Sequence, residues 1–195
     1  MSTEIANALE GCSATVTRGA THTESVASPE GMYFAECYDA EGNLKWTDYI
    51  KNVVTNAGRN SMLDINFRAQ TQVTTWYIGL ISSVSYTAVA NTDTMTSHTG
   101  WTEACSNNAP NYNQNSRRAV TWAAAASKAI ASSNACVFSI TGSGTVKGAF
   151  LVSSALKNNI STAGTLYSAG LFTAGDKVVS SGDTLNVSYT TVLGG

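Results

Sequence analysis

The chain has 195 residues, 43% of them apolar and 12% charged, with a formal net charge of −2. The charged share is roughly half that of an average globular chain, and Ser, Thr, Ala and Gly take its place, a profile suited to strands and turns packed among neighbouring subunits. A balance this close to neutral leaves no basic face for a phosphate backbone, and no run of about 18 apolar residues marks a membrane span.

Residues 1–30 carry only Ile5, Leu9, Val16 and Val26 as larger aliphatic side chains and close on Pro29-Glu30-Gly31. They lack the basic start and apolar stretch of a secretory signal, so synthesis and folding in a cytoplasm are expected. The segment reads as an extended N-terminal arm, with at most a short helix over Thr3 to Leu9, where Ile5 and Leu9 share a face at i, i+4. Such an arm is either a disordered end or a piece that orders against a neighbour.

Residues 31–195 read as one β-sandwich domain. Met32 to Tyr38 is aromatic enough for a strand. Asp39 to Asn43 is turn chemistry, with Gly42 free to take positive φ. Leu44, Trp46 and Ile50 then alternate with polar residues as the return arm of a hairpin. Thr55 or Asn56 caps a helix of about three turns, in which Leu63 and Phe67 share a face. Thr75 to Ile81 is apolar on both alternating faces, which predicts a strand covered on both sides.

The stretch from Ser82 to Asn115 is rich in Ser, Thr and Asn and is broken by Trp101 and Tyr112. A structureless loop of that length is unusual in a compact domain, so it holds small helical turns or is a functional excursion. Five strand-like runs follow: 118–122, 136–140, 145–152, 165–172 and 184–192. In the last, Leu185, Val187 and Tyr189 alternate with Asn186, Ser188 and Thr190. Many short strands between regular turns predict a mainly β, jelly-roll-like sandwich with one short helix.

A search for chemistry yields little. Of the two histidines, His22 lies in the arm and His98 in the polar excursion, and no G-x-S-x-G accompanies them. The nearness of His98 to Cys105 does not by itself activate a thiol. Asp39 with Glu41, and Asp176 with Asp183, bracket turns, where forming the turn is their expected role. Cys12, Cys37, Cys105 and Cys136 show no C-x-x-C spacing and read as free thiols. Asn159-Ile160-Ser161 and Asn186-Val187-Ser188 match the glycosylation pattern at chance frequency. Arg117 and Arg118, adjacent on a strand, point to opposite faces. Trp76 and Trp122 fall on strand runs and read as core, whereas Trp101, beside Thr99-Gly100, reads as an exposed interface anchor. No catalytic residue, cofactor or metal is expected.

The phrases Asn52 to Asp64, Thr75 to Leu80, Tyr86-Thr87-Ala88, Asp93-Thr94-Met95, His98 to Glu103, Val146 to Leu151 and Gly182 to Val187 together resemble structural proteins of tailed bacteriophages. The likeness is to head decoration, or cement, proteins with a β-sandwich or jelly-roll body, and it covers roughly residues 42–192. The resemblance implies a non-enzymatic virion protein on the capsid exterior. It would bind the major capsid protein as a homotrimer or dimer and bridge coat subunits. Tail, neck or head-fibre components, and receptor- or glycan-binding modules, are the alternatives. Expected contact residues are those that interrupt polar segments: Ile5, Leu9 and Val16 in the arm, Trp101 and Tyr112 in the excursion.

Overall fold

The computed structural model describes residues 29–157 and 162–194. In chain order its elements are β1 (Pro29–Tyr38), β2 (Leu44–Val54), α1 (Asn56–Phe67), β3 (Tyr77–Ser82), β4 (Asn111–Tyr112), β5 (Arg118–Ala119), β6 (Ala129–Ala131), β7 (Cys136–Gly142), β8 (Gly144–Val152), β9 (Leu166–Phe172), β10 (Lys177–Val179) and β11 (Thr184–Leu193). Among the described residues the fold is mainly β with one helix, as its strand-and-turn texture predicts. The sandwich is built from one continuous antiparallel sheet, ordered β4-β7-β11-β1-β2-β9-β8-β3-β5, with β10 beside β8 and β6 beside β11. It curls until its ends approach, so that the Cys136 thiol of β7 reaches the carbonyl of Ala119 at the far end, 3.4 Å away.

The first hairpin sets the register of the centre. Asp39 Oδ1 accepts hydrogen bonds from the backbone N–H of Asn43 (2.7 Å) and Glu41 (3.1 Å), while Gly42 takes φ 86°. That turn pairs Phe34 with Tyr49 and Met32 with Lys51. Residues Tyr33, Ala35 and Cys37 of β1 and Ile50 and Val54 of β2 then face inward. They meet Leu185, Val187 and Tyr189 of β11, Val146 of β8 and Phe138 of β7 in the main core. The alternation read in the last strand is therefore its burial pattern. β1 begins at Pro29, paired with Leu193, so Pro29 and Glu30 belong to the sheet and not to the arm. A proline that opens a strand forfeits no interior ladder bond.

Helix α1 starts where expected. Thr55 caps it by accepting from the Gly58 N–H at 3.0 Å, and its own hydroxyl donates to the Leu166 carbonyl at 2.5 Å. Gly58 lies so close to the start of β9 that a Cβ would strike the carbonyl of Tyr167. The expected Leu63–Phe67 face points away from the sheet, and Phe67 is 82% exposed. Met62 faces inward instead, its sulfur accepting from the Tyr167 hydroxyl at 3.4 Å.

Strand β3 is covered on both sides, as its composition requires. Ile78 and Leu80 join the main core, and Ile81 joins a second cluster with Met95, Trp101, Phe150, Val152, Leu166 and Ala169. The polar excursion supplies that cover. It contains no helical turn among residues 82–115; it is a folded series of tight turns and isolated bridges such as Ile81–Glu103 and Cys105–Asn108. A buried ion pair fastens it: Arg117 Nε and Nη2 each donate to a Glu103 carboxylate oxygen at 2.9 Å.

Candidate functional site

Of the contact residues expected from the sequence, the two described, Trp101 and Tyr112, lie in different core clusters. Ile5, Leu9 and Val16 lie outside the described residues, as do the Thr3 to Leu9 helix, His22, Cys12 and Asn159-Ile160-Ser161. Trp101 is 1% exposed, so it is no exposed anchor. Its indole donates to Asp93 Oδ2 at 2.9 Å, His98 stacks on it with ring centroids 4.1 Å apart, and Phe150 lies beneath. Tyr112, also 1% exposed, belongs to the other core and meets Phe138 edge-on at 5.0 Å. The Lys157 ammonium sits 3.6 Å from the Tyr112 ring centroid and donates to the carbonyls of Tyr112 and Gln114. Trp101 departs from the expectation of a surface anchor because a doubly apolar strand draws it onto its outer face.

Several titratable groups among the described residues are tied into turns and strands. Asp183 accepts from Lys45 Nζ at 2.6 Å and from the Ser180 N–H at 2.8 Å. Burial, with the Asp183 carboxylate second, pushes the Cys37 thiol up to about 12; burial pushes Cys136 up to about 11. Both are therefore protonated at neutral pH and weak nucleophiles. Among the described residues no cluster of three or more His, Cys, Asp and Glu is placed to hold a metal ion. No helix among them is long and apolar enough to cross a membrane.

Among the described residues, two open surfaces are apolar enough to matter for binding. The first is the outer face of β2, β1 and β11. Its outward residues are Met32, Phe34 and Glu36 on β1, Thr47, Tyr49, Lys51 and Val53 on β2, and Ser188, Thr190 and Val192 on β11, so apolar side chains are set among polar and charged ones. The Phe34 and Tyr49 rings pack at its centre, 5.1 Å apart and tilted by 45°. Met32 is 48% and Tyr49 49% exposed. The excursion covers the neighbouring β9-β8-β3 part of the same outer surface and stops short of this one. The sequence does carry the signal: Met32-Tyr33-Phe34 puts large side chains on both faces of β1, as in β3.

The second is a groove of about 490 Å³ at the end of the curled sheet where β1 begins. Met62 and Ile65 of α1, with Trp76, form one wall; Trp122 and Ile130 form the other; Tyr167 and Tyr189 form the floor. Trp76 and Trp122, expected in the core, are half-buried on its margin and line this opening. Lys128 is the one charged side chain among the described lining residues. It occupies the tip of a tight turn with Ser127, both at positive φ.

No family model matches the chain, and comparison with the curated proteins gives no match.

Proposed function

We propose that this protein is a non-enzymatic structural component of a bacteriophage virion that binds the capsid exterior and bridges neighbouring coat subunits. The observation that carries this reading is the exposed cluster of Phe34, Tyr49, Met32 and Val53 on the open outer face of β2, β1 and β11, rimmed by Glu36, Lys51 and Thr190. Contiguous exposed apolar surface of this kind marks an interaction site. The outer face of a curled sheet offers no concavity there, which suits a broad, preformed partner better than a small molecule, for which sites are concave.

The surrounding chemistry supports the same reading. The charged share of 12% means that little ionic desolvation opposes contact, and desolvating charge is the costly part of burying a polar interface. Assembly as a homotrimer or dimer would let several weak faces act together, because each contact after the first forms at high effective concentration. The partner in this proposal is the major capsid protein, and the resemblance to cement proteins points the same way.

The test is copy number, read from purified particles by quantitative gel against the major coat protein. A ratio near one to one supports the cement role. A ratio of a few percent moves the protein to the tail, neck or fibre, and absence from the particle ends the proposal.

A further inference from the structure

We infer that the groove between α1 and the Trp122–Ile130 wall is the docking site for the chain's own N-terminal segment, residues 1–28. This holds whether or not the protein is a particle component. Three observations point to that occupant.

The first is where the described chain begins. Pro29 pairs with Leu193, and the Leu193 N–H donates to the Lys128 carbonyl at 2.8 Å. Leu193 and Lys128 are both groove-lining residues. Two residues on, Gly31 faces inward so close to the Tyr189 hydroxyl that any Cβ would collide with it, and Tyr189 is the groove floor. Pro29 therefore stands at the groove mouth. Even the far end of the preceding segment is within reach, since an extended chain spans about 3.3 Å per residue.

The second is chemistry. The groove is apolar, with two tryptophans and two tyrosines among its lining residues. The segment offers Ile5 and Leu9 in a background of small residues. The third is charge. Residues 1–28 carry Glu4, Glu10 and Glu24 against Arg18, and the charged lining residue is Lys128. A segment tethered at the groove mouth binds at high effective concentration, so modest apolar contact suffices. Ile5 and Leu9, expected from the sequence to contact a neighbour, are thereby assigned to the chain's own groove.

Native Cys12, three residues beyond Leu9, allows a test in the full-length protein. The thiols of Cys37, Cys105 and Cys136 are buried. Ala125→Cys adds a thiol at an exposed groove-lining position. Val178→Cys adds one at the opposite end of β2, where the Val178 carbonyl accepts from the Trp46 indole. Both are linked to Cys12 with a short bismaleimide and followed by denaturing gel, with Cys12→Ser as the blank.

The expected result is a monomeric, internally linked product that forms at least about tenfold faster with the Ala125→Cys variant than with Val178→Cys, a ratio set by local effective concentration. The paired substitution Ile5→Asp, Leu9→Asp should reduce the groove rate to the distal rate. Equal rates at the two positions, or a preference that survives the paired substitution, overturn the inference and leave the groove to a separate ligand. Linked dimers in place of monomers overturn it in favour of a second copy's segment. None of these readouts involves virions, so they stand apart from the copy-number test.

Discussion

Asp48 lies on the inward side of β2 between Trp46 and Ile50, a place where a lone carboxylate would be costly. Burial pushes its pKa up, but four partners outweigh that: Lys177 Nζ at 2.9 Å, the Thr173 hydroxyl at 2.8 Å, and the N–H groups of Tyr49 and Ala174 at 2.7 and 3.1 Å. The net direction is downward. A carboxylate with a folded pKa below its unfolded value of about 3.9 contributes stability that is present above that pH and lost as pH falls through the folded value. Asp48→Asn keeps the shape and removes the charge. It should cost about 2 kcal/mol at pH 7, the scale of hydrogen bonds to a charged group, read from urea unfolding. The gap between variant and parent should narrow as pH is lowered toward about 3. A gap of the same size at both pH values would mean that the carboxylate charge is not what holds the 173–177 turn to β2. The half-exposed pair Lys147–Asp176 offers a contrast: exposed pairs contribute little, about 0–1 kcal/mol.

At the scale of elements, the segment from Ser82 to Arg117 shows what a polar composition conceals. Its tight turns place only a few apolar side chains, chiefly Met95 and Trp101, against Phe150 and Ile81. The fastening is the Arg117–Glu103 pair, whose side chains are 0% and 2% exposed. Arg117 also donates to the Ser154 carbonyl at 3.1 Å, so it joins the excursion to the end of β8. Arg117→Ala removes the two-pronged partner of a buried carboxylate and should destabilise by about 3–5 kcal/mol. Combining it with Glu103→Leu should recover part of that loss, because the buried charge goes with it. Thermal unfolding of the single and double variants checks this; a double variant worse than the single one would show that the carboxylate's other contacts dominate.

The same element shows which parts of the fold are legible in the sequence. The doubly apolar run of β3, the strand-like run of β8, the alternation of β11, a cap at Thr55 or Asn56 and the Gly42 turn are local signals; the strands and the turn form as read, and the cap is Thr55. The cover over β3 is not local: its need is written in β3, but the residues that meet the need lie among serines and threonines. Trp101 and Tyr112 therefore resemble surface anchors until the chain is folded. The open face is legible only in part: Met32-Tyr33-Phe34 marks β1 as two-sided, but Phe34 and Tyr49 come together only once the hairpin register is set.

At the scale of the whole molecule, the outer surface of the sheet is divided. The excursion closes the part over β9, β8 and β3, while the part over β2, β1 and β11 keeps Met32, Phe34, Tyr49 and Val53 outward. If that open part is the capsid contact, charge placed there should break binding without breaking the fold. Met32→Asp with Tyr49→Asp changes two side chains that are about half exposed, and exposed substitutions away from special features usually shift stability by about 0.5 kcal/mol or less. The paired variant loses the Phe34–Tyr49 ring contact, a cross-strand pair of up to about 1 kcal/mol, so it should remain folded with an unfolding temperature lowered by only a few degrees and bind undecorated heads at least about tenfold more weakly, a loss of roughly 1.4 kcal/mol or more. Phe67→Asp is the matched control: it removes an apolar side chain more exposed than either, but from α1, and should leave binding unchanged. Loss of binding by the control as well would indicate general apolar adhesion. Unchanged binding by the sheet variant would clear β1 and β2 from the contact, and with them the observation on which the proposed function rests. Binding lost only by the sheet variant would place the coat subunit across the Phe34–Tyr49 pair, leaving the groove on the opposite, inward side of β1 free for the N-terminal segment.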